Sequence, residues 1–68
     1  MKEKVDELKA DIDRISAEAT TLPCGKFIPW STLNIKSTGV LLEYLNGNLT
    51  ETEFKDVEKY RREAMLNL

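Results

Sequence analysis

The sequence predicts an all-α fold of three helices in a single domain, residues 1–68. Apolar residues near the start recur at alternating spacings of three and four, the pattern of a coiled-coil-like helix. Near the end, a glycine turn followed by a helix-capping sequence indicates a helical hairpin. Prolines and aromatic residues are concentrated between these two parts. We therefore expect a heptad helix over 1–21, a loop over 22–36 and a hairpin over 37–68.

The composition limits the functions that so short a chain can have. The 68 residues are 41% hydrophobic and 32% charged, with a net charge of −2, no histidine and one cysteine. A monomer of this size has only a marginal apolar core. The residue types that most often perform acid–base catalysis or bind metal are missing or too few. We expect a protein that is not an enzyme and uses no cofactor or metal.

The first helix, roughly residues 2–20, carries a narrow apolar seam in a segment without glycine or proline. The seam residues occupy a and d positions of successive heptads: Val5, Leu8, Ile12, Ile15, Ala19 and Leu22. Such a seam needs a partner surface, because an isolated helix of this length is marginal in water. The partner is a second copy, the chain's own C-terminal helix or a helix of another protein. Our expectation is a homodimer through Val5–Ala19.

The segment 22–36 is predicted to be a restrained loop. Pro23 and Pro29 disfavour helical geometry in the residues before them, and Gly25 permits a sharp turn. Three large apolar residues and a lysine follow one another closely on this loop: Lys26, Phe27, Ile28 and Trp30. They form either the plug of a small core or a protein-binding patch. Residues 32–36 alternate polar and apolar, which indicates an extended connection or the first turn of the next helix.

A short helix over about 38–46 is predicted next, with Ser37 or Thr38 as its N-cap. Apolar residues surround it, so we expect it to be the most buried element: Val40, Leu41, Leu42, Tyr44 and Leu45. Gly47 suits the left-handed residue that follows the end of a helix.

The third helix, 51–66, has the clearest start in the sequence. Thr50 and Glu53 have the spacing of a capping box, and Leu49 and Phe54 have the spacing of a hydrophobic staple. Arg61 interrupts the apolar face of this helix. We expect its aliphatic stem to cover core atoms while its charge reaches water.

The hairpin resembles the short C-terminal (SHOCT) domain family over residues 41–66. The resemblance depends on one short set of residues: Leu45, Gly47, Leu49-Thr50 and Glu53-Phe54. Tyr60-Arg61 replaces the apolar pair that the family has near the end of its second helix, and Met65-Leu66 comes later. The resemblance implies a helical interaction or oligomerisation module without an active site.

The basic residues of the third helix favour an alternative function. Lys59, Arg61 and Arg62 are candidate anion contacts, although acidic residues alternate with them. The charged start of the chain is unlike a signal peptide, no apolar run approaches a membrane span, and the single Cys24 suits a reducing compartment. We therefore expect a cytoplasmic protein that does not associate with membranes.

The function expected from these features is protein binding. The chain has the size of a small bacterial or phage regulator, such as an inhibitor or adaptor, that docks on a larger protein. A nucleic-acid-associated regulator that uses the third helix is one alternative. A structural component of an assembly is another.

Overall fold

The computed structural model describes residues 2–18 and 27–68. These residues form three helices, α1 (Lys2–Ala17), α2 (Phe27–Leu45) and α3 (Glu51–Leu66), and contain no strand. The predicted all-α fold with three helices is confirmed. The three helices pack against one another around one apolar core.

The apolar seam of α1 packs inside the chain. Four of its members are at most 8% exposed: Val5, Leu8, Ile12 and Ile15. They share the core with Leu33 and Val40 of α2 and with Val57 of α3. This corrects the predicted homodimer through the seam, because the chain's own helices already cover these side chains. Ala19 and Leu22 lie outside the described residues.

Helix α2 begins at Phe27, so the predicted loop is wrong over residues 27–36. Pro29 is the third residue of α2, where a backbone N–H has no partner within the helix, so proline removes no hydrogen bond. Ser37 and Thr38, the predicted N-caps, lie in the middle of the helix. The alternation over 32–36 is part of a helical pattern in which Leu33 is buried and Ile35 faces water.

The turn between α2 and α3 is fixed by hydrogen bonds at both of its ends. Gly47 has a φ of 81°, which places it in the left-handed region that favours glycine. Its N–H donates to the Tyr44 carbonyl at 3.0 Å, and the Asn48 N–H donates to the Glu43 carbonyl at 2.9 Å. These two bonds constitute a Schellman motif, so the predicted glycine stop is confirmed.

The predicted capping box of α3 is confirmed. The Thr50 hydroxyl accepts a hydrogen bond from the Glu53 N–H at 3.1 Å, and the Glu53 carboxylate accepts one from the Thr50 N–H at 2.8 Å. Leu49 is buried and Phe54 packs against the same core. The Phe54 ring also stacks on Tyr44 of α2, with 4.8 Å between the ring centroids. The hairpin therefore closes through both polar and aromatic contacts.

Ion pairs and one tyrosine join α1 to the hairpin. Each pair links α1 to α2 or α3: Lys4–Glu43 at 3.1 Å, Asp11–Lys36 at 3.2 Å and Lys9–Asp56 at 2.8 Å. The Tyr60 hydroxyl donates to the Asp13 carboxylate at 2.5 Å. These contacts fix which way α1 lies on the hairpin.

Candidate functional site

The side of α2 that faces away from α1 and α3 is uncharged and largely apolar. Lys36 and Glu43 are the only charged residues of α2, and both pair with α1. Five aliphatic residues of α2 are between 42% and 71% exposed: Ile28, Ile35, Leu41, Leu42 and Leu45. The prediction that 38–46 is the most buried element is therefore wrong. Only one side of α2 is needed for the core, and this leaves Leu41, Leu42 and Leu45 in water.

Six outward residues of α2 form a continuous row, which we call the outer stripe: Ile28, Ser31, Ile35, Thr38, Leu42 and Leu45. Their spacings are three, four, three, four and three, the a and d pattern of a coiled coil. Leu33 and Val40 face the core from the opposite side of the helix. The outer stripe is thus a second heptad seam, and no other helix of the described chain covers it.

A second apolar surface lies between the start of α2 and the end of α3. This α2–α3 groove has a volume of about 290 Å³ and is lined by Trp30, Arg62, Met65 and Leu66. Trp30 is 46% exposed and Leu66 is 86% exposed. An indole with half of its surface in water does not plug a core, so the structure contradicts the core alternative for Trp30.

The predicted partner-binding residues do not form one surface. Ile28 belongs to the outer stripe and Trp30 to the α2–α3 groove, because residues two apart on a helix point about 200° away from each other. Lys26 lies outside the described residues, and of Phe27 only the backbone is described, as the first residue of α2. The structure thus divides the predicted patch between two surfaces.

Arg61 is buried and paired, which corrects both roles considered for it. Its Nε and Nη2 donate to the two carboxylate oxygens of Glu58 at 3.1 and 2.8 Å, and its Nη1 donates to the Leu33 carbonyl at 3.3 Å. The side chains of Arg61 and Glu58 are 7% and 12% exposed. Arg61 therefore neither reaches water nor offers its charge to an external anion.

The other basic residues of α3 form no shared anion site. Lys59 and Arg62 are exposed, while Lys55 lies 3.2 Å from Glu51. The Arg62 Nε donates to the Glu58 carbonyl at 3.4 Å. With Arg61 buried, only two of the three predicted anion contacts face solvent, so the geometry does not support a phosphate-binding face.

Among the described residues, two groups have shifted pKa values, and both belong to contacts between α1 and the hairpin. The Glu43 carboxylate raises the pKa of Lys4 through its close contact with the ammonium and through its negative charge, with a smaller contribution from Glu7. The hydrogen bond to Asp13 raises the pKa of Tyr60, and partial burial adds to this. The Lys4 ammonium lies 3.1 Å from a buried Glu43 oxygen at an angle outside hydrogen-bond geometry. This contact is an ion pair.

A hollow of about 330 Å³ between α1 and α3 is lined mainly by polar residues, with Asp13 and Tyr60 already bonded to each other. Over 2–18 and 27–68, no group of His, Cys, Asp or Glu residues could hold a metal ion. None of the three helices has the length and apolar character needed to cross a membrane.

Comparisons of the chain with protein-family models, curated proteins and solved structures find no match. The resemblance of residues 41–66 to the SHOCT family therefore stays a prediction. The two exposed apolar surfaces, the α2–α3 groove and the outer stripe, are the candidate functional sites of the described chain.

Proposed function

We propose that the protein is a small cytoplasmic regulator, an inhibitor or adaptor that acts by docking on a larger protein and catalyses no reaction. The observation that carries this proposal is the α2–α3 groove, in which an exposed tryptophan and leucine stand beside an arginine. Tryptophan and arginine are the residue types most enriched among the side chains that dominate binding energy at protein interfaces.

The size of the groove indicates what it binds. About 290 Å³ lies at the lower end of the range for small-molecule sites, and it suits one or two apolar side chains of a partner. The Arg62 guanidinium at the rim would attract a carboxylate next to those side chains. The preferred partner segment therefore has an apolar residue next to an aspartate or glutamate.

Affinity capture from a native lysate tests the proposal. Wild type, Trp30→Ala and Leu66→Lys are used as baits, and Ile35→Lys is the matched control because it places the same charge on the opposite side of α2. We expect one specific protein that wild type and the control retain and the two groove variants lose. Its binding to the purified chain should then depend little on salt.

Two results would contradict this function. Equal retention by wild type and both groove variants would show that the groove is not the docking surface. Recovery of nucleic acid, with binding that weakens steeply as salt rises, would favour the phosphate-binding alternative instead.

A further inference from the structure

The outer stripe alternates large and small side chains from Ile28 to Leu42 and ends on a second large residue, Leu45. Its a positions are all aliphatic: Ile28, Ile35 and Leu42. Its d positions are two small hydroxyl residues followed by an aliphatic one: Ser31, Thr38 and Leu45. The positions that flank the stripe are uncharged as well: Thr32, Asn34, Gly39 and Leu41.

We propose that the outer stripe pairs with the outer stripe of a second copy of this chain, with the two α2 helices antiparallel. A two-fold axis between positions 36 and 37 places Ile35 opposite Thr38 of the second copy. The same axis places Leu42 opposite Ser31 and Ile28 opposite Leu45. Because the two-fold axis makes each of these contacts occur twice, every residue of the stripe lies opposite a stripe residue of the second copy.

Side-chain size favours the antiparallel orientation. In each central layer one aliphatic side chain meets one small side chain, so the two helices interdigitate. A parallel pair would instead place Ser31 against Ser31 and Thr38 against Thr38 of the second copy, leaving two hydroxyl layers in the seam. Gly39 has no neighbouring atom within 4 Å of the position where a side chain would begin, so the flank is open to a second helix.

Charge favours a second copy over an unrelated partner. The stripe and its flanks carry no formal charge that a charged partner could complement, and no charge that would repel an identical surface. A surface of this kind is complementary to itself.

The available area matches a weak dimer. The five aliphatic residues on this side of α2 are Ile28, Ile35, Leu41, Leu42 and Leu45. Their exposed surface equals that of nearly three fully exposed residues. At about 100 Å² of side chain for each, this is roughly 300 Å² of aliphatic surface per chain. Interfaces are about 60% apolar, so the total contact is on the order of 1,000 Å² for the two chains. That is the lower bound for a specific interface, and we expect a dissociation constant on the order of 1–100 µM.

Sedimentation equilibrium over ~1–500 µM protein tests the pairing. Wild type should convert from monomer to dimer. Ile35→Lys, at the most exposed aliphatic residue of the stripe, should raise the dissociation constant at least ~30-fold with an unchanged helical circular dichroism spectrum. Ile35→Gln is the second variant if the lysine disturbs the fold. Leu66→Lys is the matched control outside the stripe and should dimerise like wild type.

A monomeric wild type over the whole concentration range would overturn the proposal. A Leu66→Lys variant that loses the dimer while Ile35→Lys keeps it would overturn it too, because the contact would then involve the groove. The test is independent of the proposed docking function: Leu66→Lys removes target binding and Ile35→Lys removes dimerisation. Either proposal can fail while the other stands.

Discussion

The buried Arg61–Glu58 pair makes a quantitative prediction about stability. Arg61→Met keeps most of the aliphatic stem and removes the charge. The Glu58 carboxylate, which is 12% exposed, then keeps a hydrogen bond from the Ser37 hydroxyl at 3.4 Å but has no positive partner. Removing one partner of a buried pair costs about 3–5 kcal/mol, because the remaining charge is left without compensation. A chain of 68 residues has a free energy of unfolding of roughly 3–10 kcal/mol. Arg61→Met should therefore lose at least about a third of its free energy of unfolding, and all of it at the lower end of that range.

Urea unfolding followed by circular dichroism measures this loss. Arg62→Met is the matched control, since Arg62 is exposed and its loss should change the free energy of unfolding by less than ~0.5 kcal/mol. The double variant Arg61→Met/Glu58→Met should recover to within about 1 kcal/mol of wild type, because no buried charge remains. A loss below ~1 kcal/mol for Arg61→Met alone would refute the reasoning, because it would show that water reaches the carboxylate.

Three further predictions concern the turn, the cap and the pH dependence. Gly47→Ala should cost about 1–2 kcal/mol of unfolding free energy because its φ of 81° strains a side chain, whereas Gly39→Ala, in open space within α2, should add about 0.5–1 kcal/mol; equal effects in urea unfolding would contradict this. Thr50→Ala should cost about 1 kcal/mol because the capping box is lost, and exposed Thr52→Ala should stay within ~0.5 kcal/mol of wild type. The pKa of Tyr60 is higher in the folded state than in the unfolded state, so folding favours the protonated phenol. The stability that this contributes is complete below the unfolded pKa of about 10, and it is lost as the pH rises through the pKa of the folded state. The urea midpoint should fall above pH ~10 in wild type and fall less in Tyr60→Phe, and parallel profiles would argue against the Tyr60–Asp13 bond.

The sequence carried enough information for the hairpin and too little for the start of α2. Thr50, Glu53 and Gly47 act through hydrogen bonds and φ values of neighbouring residues, so their pattern predicts the observed turn. Proline breaks a helix in its interior but is tolerated in its first turn, and the sequence around Pro29 does not show which of these positions it occupies. The heptad spacing of Ile28, Ile35 and Leu42 is present in the sequence, but it indicates a seam only if the helix continues across Pro29.

Which apolar surfaces are buried and which stay exposed depends on tertiary packing, which local sequence patterns do not reveal. The apolar seam of α1 could pack against a second copy or against the chain's own helices. Which of the two covers it depends on the length of α2, which begins earlier than predicted. The position of Arg61 along α3 is the same whether its guanidinium reaches water or turns inward. The guanidinium is buried because it pairs with the carboxylate of Glu58, three residues earlier. Trp30 is exposed because it lies off the side of α2 on which Leu33 and Val40 enter the core.

The pairing of two outer stripes is tested most directly by disulfide formation at chosen positions. In a Cys24→Ser background, Ser31→Cys is mixed with Leu42→Cys and oxidised gently at a concentration where the dimer forms. The antiparallel pairing places these two thiols opposite each other, so the mixed disulfide should dominate. Ser31 lies about 16 Å along the axis from Ser31 of the second copy, too far for a bond. A dominant Ser31→Cys homodimer, or no mixed disulfide, would contradict the antiparallel pairing.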